Sequence, residues 1–169
     1  MDVIEANIGL EQALLDYALE CYDSGIDMYQ RAIDDPKQYL NSLVARKSAT
    51  SAELPHGWLP STTFYCVNEG QILGAIRVRR GSNEFVDNVI GHIGYETRPS
   101  ARGKGVAKCL LAWVVSHAIE TQAIVTCSVN NLASRKVIEA CGGEYLGEHE
   151  DESEGRVHRY RFYPKMRPN

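Results

Sequence analysis

His92 to Ala107 reads H-I-G-Y-E-T-R-P-S-A-R-G-K-G-V-A, and the rest of the chain is placed by its relation to this stretch. It reads as a strand that runs into a glycine-rich turn and opens a long amphipathic helix. Pro99 ends the strand, because proline donates no ladder hydrogen bond and biases Arg98 toward extended geometry. Beyond it, Arg102-Gly103-Lys104-Gly105 sets two residues without side chains beside two cations where a helix begins. A helix start carries unpaired N–H groups and the positive end of the macrodipole. The two glycines let a bulky anion come down onto those groups, and the two cations add full charge at the rim. This pattern is suited to a pyrophosphate.

Two familiar phosphate-binding loops do not fit. The chain lacks G-x-G-x-x-G here, and Gly105 is followed by Val106 and Ala107 rather than by Lys and Ser or Thr. What stands is R-x-x-G-x-A, at Arg102, Gly105 and Ala107, after an I-G-Y-x-x-R-P strand. With these residues the chain resembles the GNAT superfamily of N-acetyltransferases, whose acetyl-CoA loop has the form [QR]-x-x-G-x-[GA]. The resemblance extends over roughly Thr62 to Pro164. It is most similar to a bacterial-type subgroup with R-x-x-x-N upstream of G-H-I-G-Y-x-x-R-P-S, matched by Arg79, Asn83 and Gly91 to Ser100.

The resemblance implies an α/β fold: a central mixed, mostly antiparallel sheet with a splayed central strand and helices on both faces. It implies one N-acetyltransferase domain over residues 1–169, with acetyl-CoA as cosubstrate. Arg102, Gly103, Lys104, Gly105, Val106 and Ala107 would then hold the pyrophosphate, and the backbone around Tyr95, Glu96 and Thr97 the pantetheine arm. An N–H near Tyr95 would polarise the thioester carbonyl, Gly94 would mark a bulge in the strand, and Asn131 and Ser134 would approach the arm. Many members carry a tyrosine seven residues after that asparagine; here the position is Ile138.

Composition narrows the classes. The chain has 169 residues, 44% of them hydrophobic and 24% charged, which suits one globular domain and argues against disorder. A net charge of -4 gives no general nucleic-acid footprint, while clusters at Arg77–Arg80, Arg98–Lys108 and Arg156–Arg161 suit a small anion. The cysteines Cys21, Cys66, Cys109, Cys127 and Cys141 form no C-x-x-C pair and read as free thiols in a reducing cytosol. The histidines lack ligand spacing with them, so no metal is expected. The first residues lack a basic signal region and no apolar run approaches a membrane span, so the expected location is cytoplasmic, with no membrane partner.

Along the chain, Met1–Gly9 can supply a short strand. A helix with Leu10, Leu14, Leu15, Ala18, Leu19 and Tyr22 at helical spacing ends near Ser24-Gly25. A second helical stretch, about Asp27 to Lys47, breaks at Asp35-Pro36. Ser48–Pro60 is a loop by composition. From Thr62 a hairpin turns at N-E-G, and V-I-G-H-I-G-Y-E-T-R reads as the next strand. The helix from Gly103 to about Glu120 follows, then A-I-V-T-C-S-V-N as an interior strand covered on both faces. Asn131–Cys141 reads as a helix closed by Gly142-Gly143, the second glycine suited to the left-handed position. Two strands flank the acidic tip E-D-E-S-E-G.

Acyl transfer to an amine needs a bound donor, a deprotonated amine and stabilisation of the oxyanion. An alkylammonium of pKa about 10.4 must lose a proton at neutral pH. His92 and Glu96 are the candidate acceptors of that proton, directly or through water. With Ile138 at the tyrosine position, Ser134, water or direct release of thiolate must serve the leaving group. The competing reading is a noncatalytic CoA-binding module of the same fold. No acceptor is named by the sequence; a small-molecule amine ranks first because no peptide groove is legible, and oligomeric state stays open, a homodimer among the options.

Overall fold

The computed structural model describes residues 1–165; positions 166–169 of the expected 1–169 domain lie outside the described residues. The chain begins with β1 (Asp2–Glu5), followed by α1 (Glu11–Asp23), α2 (Gln30–Asp34) and α3 (Pro36–Arg46). The break between α2 and α3 falls where Asp35-Pro36 predicts it. The Asp35 side chain accepts from the Gln38 N–H at 2.9 Å and Pro36 occupies the first turn, so one helix ends and the next is capped within two residues.

After the loop come β2 (Ser61–Asn68) and β3 (Gln71–Arg79), then β4 (Ile93–Thr97), α4 (Val106–His117), β5 (Ala123–Ser128), α5 (Leu132–Ala140), β6 (Glu144–Asp151) and β7 (Gly155–Phe162). The strands form one sheet in the order β1-β2-β3-β4-β5-β7-β6, antiparallel except where β4 meets β5. Side-chain alternation sends Tyr65, Val67, Ile72 and Ala75 to a core with α1–α3, and Phe64, Ile76, Val78 and Ile93 to a second core with α4 and α5. This is the mixed α/β sheet with helices on both faces that the sequence predicts.

Four expectations are corrected. The strand expected over V-I-G-H-I-G-Y-E-T-R starts only at Ile93, because Val86–Ile90 winds into a π-helical turn. Asn83 Oδ1 caps that turn by accepting from the Val86 N–H, and Val86 and Val89, three apart, point inward together. Gly91, at φ 71°, then lies so close to β5 that an added Cβ would sit 2.8 Å from the Ile124 carbonyl. The helix expected from Gly103 to Glu120 spans only Val106–His117, since both Gly103 and Gly105 are left-handed. No bulge occurs at Gly94: the β3–β4 register runs unbroken from Gly74↔Thr97 to Val78↔Ile93. Gly142 takes the left-handed position after α5, whereas a Cβ on Gly143 would meet Ile138 at 2.7 Å.

The R-P-S segment does structural work. Arg98 was grouped by sequence with the cations that suit a small anion, yet it is buried and neutralised from inside the protein. Its guanidinium donates to Asp16 at 2.9 Å and to Glu20, both on α1, and to the Ile72 carbonyl at 3.3 Å. Glu20 also accepts from the Ser100 N–H at 2.7 Å. Burial alone would raise the Glu20 carboxyl, but the Ser100 and Arg98 bonds outweigh it and hold it below the usual range. These bonds pin the start of the glycine-rich turn onto α1. Arg98→Ala, which strands two carboxylates at that seam, is expected to lower unfolding free energy by about 3 kcal/mol in urea titration. Asp16→Ala, whose carboxylate is half in solvent, is expected to cost much less.

Candidate active site

The Arg79 N–H donates to the His92 carbonyl and the Arg98 N–H to the Leu73 carbonyl, which fixes the parity of β4. Gly94 and Glu96 turn their backbone groups toward β3, so Tyr95 and Thr97 turn theirs toward β5. But β5 pairs with β4 only at Ile93↔Val125. Beyond that bridge the two strands part. The N–H and C=O groups of Tyr95 and Thr97 therefore face a cleft without a strand partner, although unpaired backbone groups are ordinarily avoided.

The cleft leads to the glycine-rich turn. Among the described residues, the N–H groups of Gly103, Gly105, Val106, Ala107 and Lys108 have no acceptor within the chain, and the first bond of the turn into α4 runs from the Cys109 N–H to the Gly105 carbonyl. Arg102 and Lys104 are exposed beside them. At both left-handed glycines an ideal Cβ would meet nothing within 4 Å, so the space above the turn is open. A cradle of free donors with flanking cations under open space fits a pyrophosphate group.

Ser134 borders the same cleft from α5, with Asn131 at the N-cap of that helix. The Asn131 side chain accepts from the Ser134 N–H at 3.0 Å and so caps the helix. Ser134 Oγ lies 2.7 Å from the Tyr95 hydroxyl, which joins α5 to β4 across the gap. Burial pushes the Tyr95 phenol up to about 12. Ile138, at the position where the resemblance expects a tyrosine, is fully buried in the α4 core.

On the other face of β4, Glu96 projects into a cavity of about 210 Å³ lined by Met28, Tyr29, Tyr39, Tyr65, Arg77 and Arg79, among others. The Tyr17 hydroxyl donates to Glu96 Oε1 at 3.1 Å, so its oxygen is left to accept from the Tyr29 hydroxyl 3.2 Å away. Burial raises the Glu96 carboxyl above its ordinary value, against the pull of Tyr29, Tyr17 and Arg102.

His92 lies apart from this cavity. Its Nδ1 is 2.9 Å from the Ile124 N–H, which can only donate, so the proton sits on Nε2, directed at the Gly81 carbonyl 3.1 Å away. Burial is the main force lowering its pKa. The ring lines a larger cavity, about 990 Å³, at the opposite end of β4, together with Asp87, Trp113 and Arg159. That cavity touches neither the glycine-rich turn nor α5. The smaller cavity is likewise off that turn, but it is lined by Gly94, Tyr95 and Glu96 of β4, the strand whose far edge is left open.

Comparison with known proteins agrees with this geometry. The family model described as acetyltransferase (GNAT) family matches residues 28–142, more than half of the chain. The chain belongs to the GNAT acetyltransferase family. No curated protein sequence matches it at a significant level. Among solved structures it is similar in fold to a ribosomal-protein-S5-alanine acetyltransferase from Vibrio fischeri, at 16% identity and TM-score 0.67 over 96% of this chain and 92% of that one. It is similar to Mycobacterium smegmatis RimJ in complex with a CoA disulfide, at 17% identity and TM-score 0.68 over 95% and 80%. A spermidine N-acetyltransferase chimera from Vibrio cholerae and hSSAT matches at 12% identity and TM-score 0.62 over 96% and 95%.

The family's sheet explains which site residues sequence reading missed. Tyr17 and Tyr29 reach Glu96 from α1 and from the turn before α2, more than sixty residues away in the chain, and look like ordinary aromatic core positions. Arg77 stood only within a basic cluster suited to a small anion. Its signal was an arginine at an inward-facing strand position, where charge is rare.

Glu96 yields a test of stability. Its pKa is raised in the folded state, so ionising it costs stability: the cost is absent below the ordinary value of 4.5 and fully present once pH exceeds the raised folded value. Glu96→Gln is therefore expected to melt at a higher temperature than wild type at pH 8 and at the same temperature at pH 4, as read by calorimetric scans.

Proposed function

We propose that the chain transfers an acetyl group from acetyl-CoA to the primary amine of a small molecule, in one complex that holds both. The observation that carries this is the open edge of β4. It runs from the free N–H cradle at the start of α4 to the cavity that holds Glu96, so a donor laid along it would end beside a carboxylate. Acetyl-CoA supplies an activated thioester; the residues of the chain do the rest. Gly103 to Ala107 bind the pyrophosphate, with Arg102 and Lys104 at the rim. Tyr95 and Thr97 pair with the arm as a strand would, and the Tyr95 N–H is the donor closest to the expected oxyanion.

Glu96 holds the acceptor ammonium and takes its first proton, passing it to solvent. The freed nitrogen attacks the thioester carbon, the C–S bond breaks, and the second nitrogen proton leaves as the sulfur gains one. Tyr95 and Ser134 supply the hydroxyl pair at the cleft where a family tyrosine is replaced by Ile138. With a phenol held near 12, this pair steadies the departing thiolate by hydrogen bonding, and water completes its protonation. His92 is assigned a structural part: neutral, with both ring nitrogens engaged, it ties the start of β4 to β5 and to Gly81.

Release of CoA thiol in the presence of an amine panel tests the transfer. Thiol release above the no-amine background is the expected result; tight CoA binding with no turnover on any amine would favour a noncatalytic module. Glu96→Gln is expected to lose 10²- to 10⁴-fold in kcat with acetyl-CoA affinity intact, on the order of a general-base contribution. Folded His92→Gln is expected to keep kcat within about tenfold of wild type, a margin well short of that contribution. A loss that falls on His92 instead would reverse the assignment. Gly105→Glu is expected to abolish acetyl-CoA binding in calorimetry, because its carboxylate would occupy the pyrophosphate cradle, whereas Arg102→Ala should weaken it less.

A further inference from the structure

The cavity beside Glu96 contains positive charge that no carboxylate among the described residues pairs with. Arg77 Nε is buried and has no hydrogen-bond partner, which no other buried side-chain nitrogen or oxygen among the described residues shares. Arg79 makes one bond, from Nη1 to the Gly91 carbonyl at 3.2 Å. Arg46, close by at the end of α3, stacks its guanidinium 5.0 Å from the centre of the Trp58 ring. None of the three has an ion-pair partner among the described residues, although the chain pairs Arg98, Arg135, Arg156 and Arg161 with carboxylates. Burial, then the neighbouring Arg77 and Arg46, lowers Arg79 to about 10, the effect of crowded cations that lack a counter-charge.

The register places these groups in relation to the proposed proton acceptor. Arg77 pairs with Gly94 and Ala75 with Glu96, so Arg77 and Glu96 are diagonal neighbours on one face, roughly 7–8 Å apart. The side chain absent at Gly94 leaves room between them, where Arg79 Nη1 comes within 3.6 Å of an ideal Cβ. This face packs with α1–α3, opposite the one covered by α4. The arginines are thus separate from the cations that flank the glycine-rich turn.

Building on the transfer proposed above, we infer that the acceptor is a small amino carboxylate, an α-amino acid or a close analogue, bound with its amine toward Glu96 and its carboxylate on Arg77 and Arg79. An ammonium and a carboxylate within one small molecule answer both charges in the cavity at once, and a guanidinium is suited to a carboxylate by its fork of donors. A volume near 210 Å³ suits a molecule of that size. A polyamine would set more positive charge against unpaired arginines, and an internal peptide unit would bring a neutral amide where an anion is called for.

Calorimetric binding to the CoA-saturated protein tests this with alanine, leucine, methionine and phenylalanine, each against its carboxamide, and with spermidine. The expected result is that at least one amino acid binds 30-fold or more tightly than its carboxamide. In Arg77→Gln the ratio should fall to within threefold with CoA affinity and melting temperature preserved, and Arg77→Lys, which keeps the charge but not the Nε donor, should fall between. Carboxamides that bind as well as the acids, spermidine as the tightest ligand, no binding by any probe, or a ratio that survives in folded Arg77→Gln would each overturn it. The ratio is independent of turnover: a carboxylate preference without acetylated product counts against the transfer alone. Equal acetylation of acid and carboxamide counts against the carboxylate alone.

Discussion

The parting of β4 from β5 is the constraint on which the rest of the molecule depends. A sheet interior ordinarily satisfies every backbone donor and acceptor along a strand, and here two residues of the central strand, Tyr95 and Thr97, are withheld from that pairing. Such an opening persists only if something holds the strands apart. At its closed end, Gly91 allows the chain to press against β5, and the His92 ring takes the Ile124 N–H as a main-chain acceptor would. At its open end, the Tyr95–Ser134 contact spans the gap through side chains rather than backbone. The cleft is framed at both ends by groups that would be lost if the strands zipped together.

The buried Arg98 connects this opening to both of its neighbours. By binding Asp16 and Glu20 it fixes α1 against the start of the glycine-rich turn, and Glu20 secures the turn further through Ser100. The same helix carries Tyr17, whose hydroxyl holds Glu96. One electrostatic seam therefore joins the helix that holds Glu96 to the donor-rich turn before α4. Glu96 sits there at an energetic disadvantage, with its ionised form disfavoured by burial, as is common for groups kept for chemistry rather than stability.

Much of the fold was legible because local signals agreed with tertiary demands. The helix break at Asp35-Pro36, the hairpin turn at Glu69-Gly70, the strand nature of A-I-V-T-C-S and the helix that begins at Asn131 each rest on chemistry within a few residues. The start of β4 and the role of Arg98 differ from expectation because a distant partner decided the matter. Val89 and Ile90 are apolar and β-branched like strand residues, yet they wind into the π-helical turn, whose carbonyls find partners on β5 and β7: Thr126 for Val89 and Arg159 for Asp87. Arg98 looked like a ligand for an outside anion, and only the docking of α1 reveals that its counter-charges are internal.

By itself, the sequence determined the alternation that makes the sheet, the place where the central strand stops and the donor-rich turn with its two glycines, because each follows from backbone geometry encoded in neighbouring residues. Tertiary structure alone decided the different surroundings of His92 and Glu96. They lie four residues apart, His92 just before β4 and Glu96 within it, and nothing local separates them. The difference arises because β5 offers His92 a backbone N–H while α1 offers Glu96 a tyrosine hydroxyl beside a cavity. The same holds for Arg77 and Arg79, whose lack of an ion-pair partner among the described residues is a property of the elements packed around them and is written in no single stretch of chain.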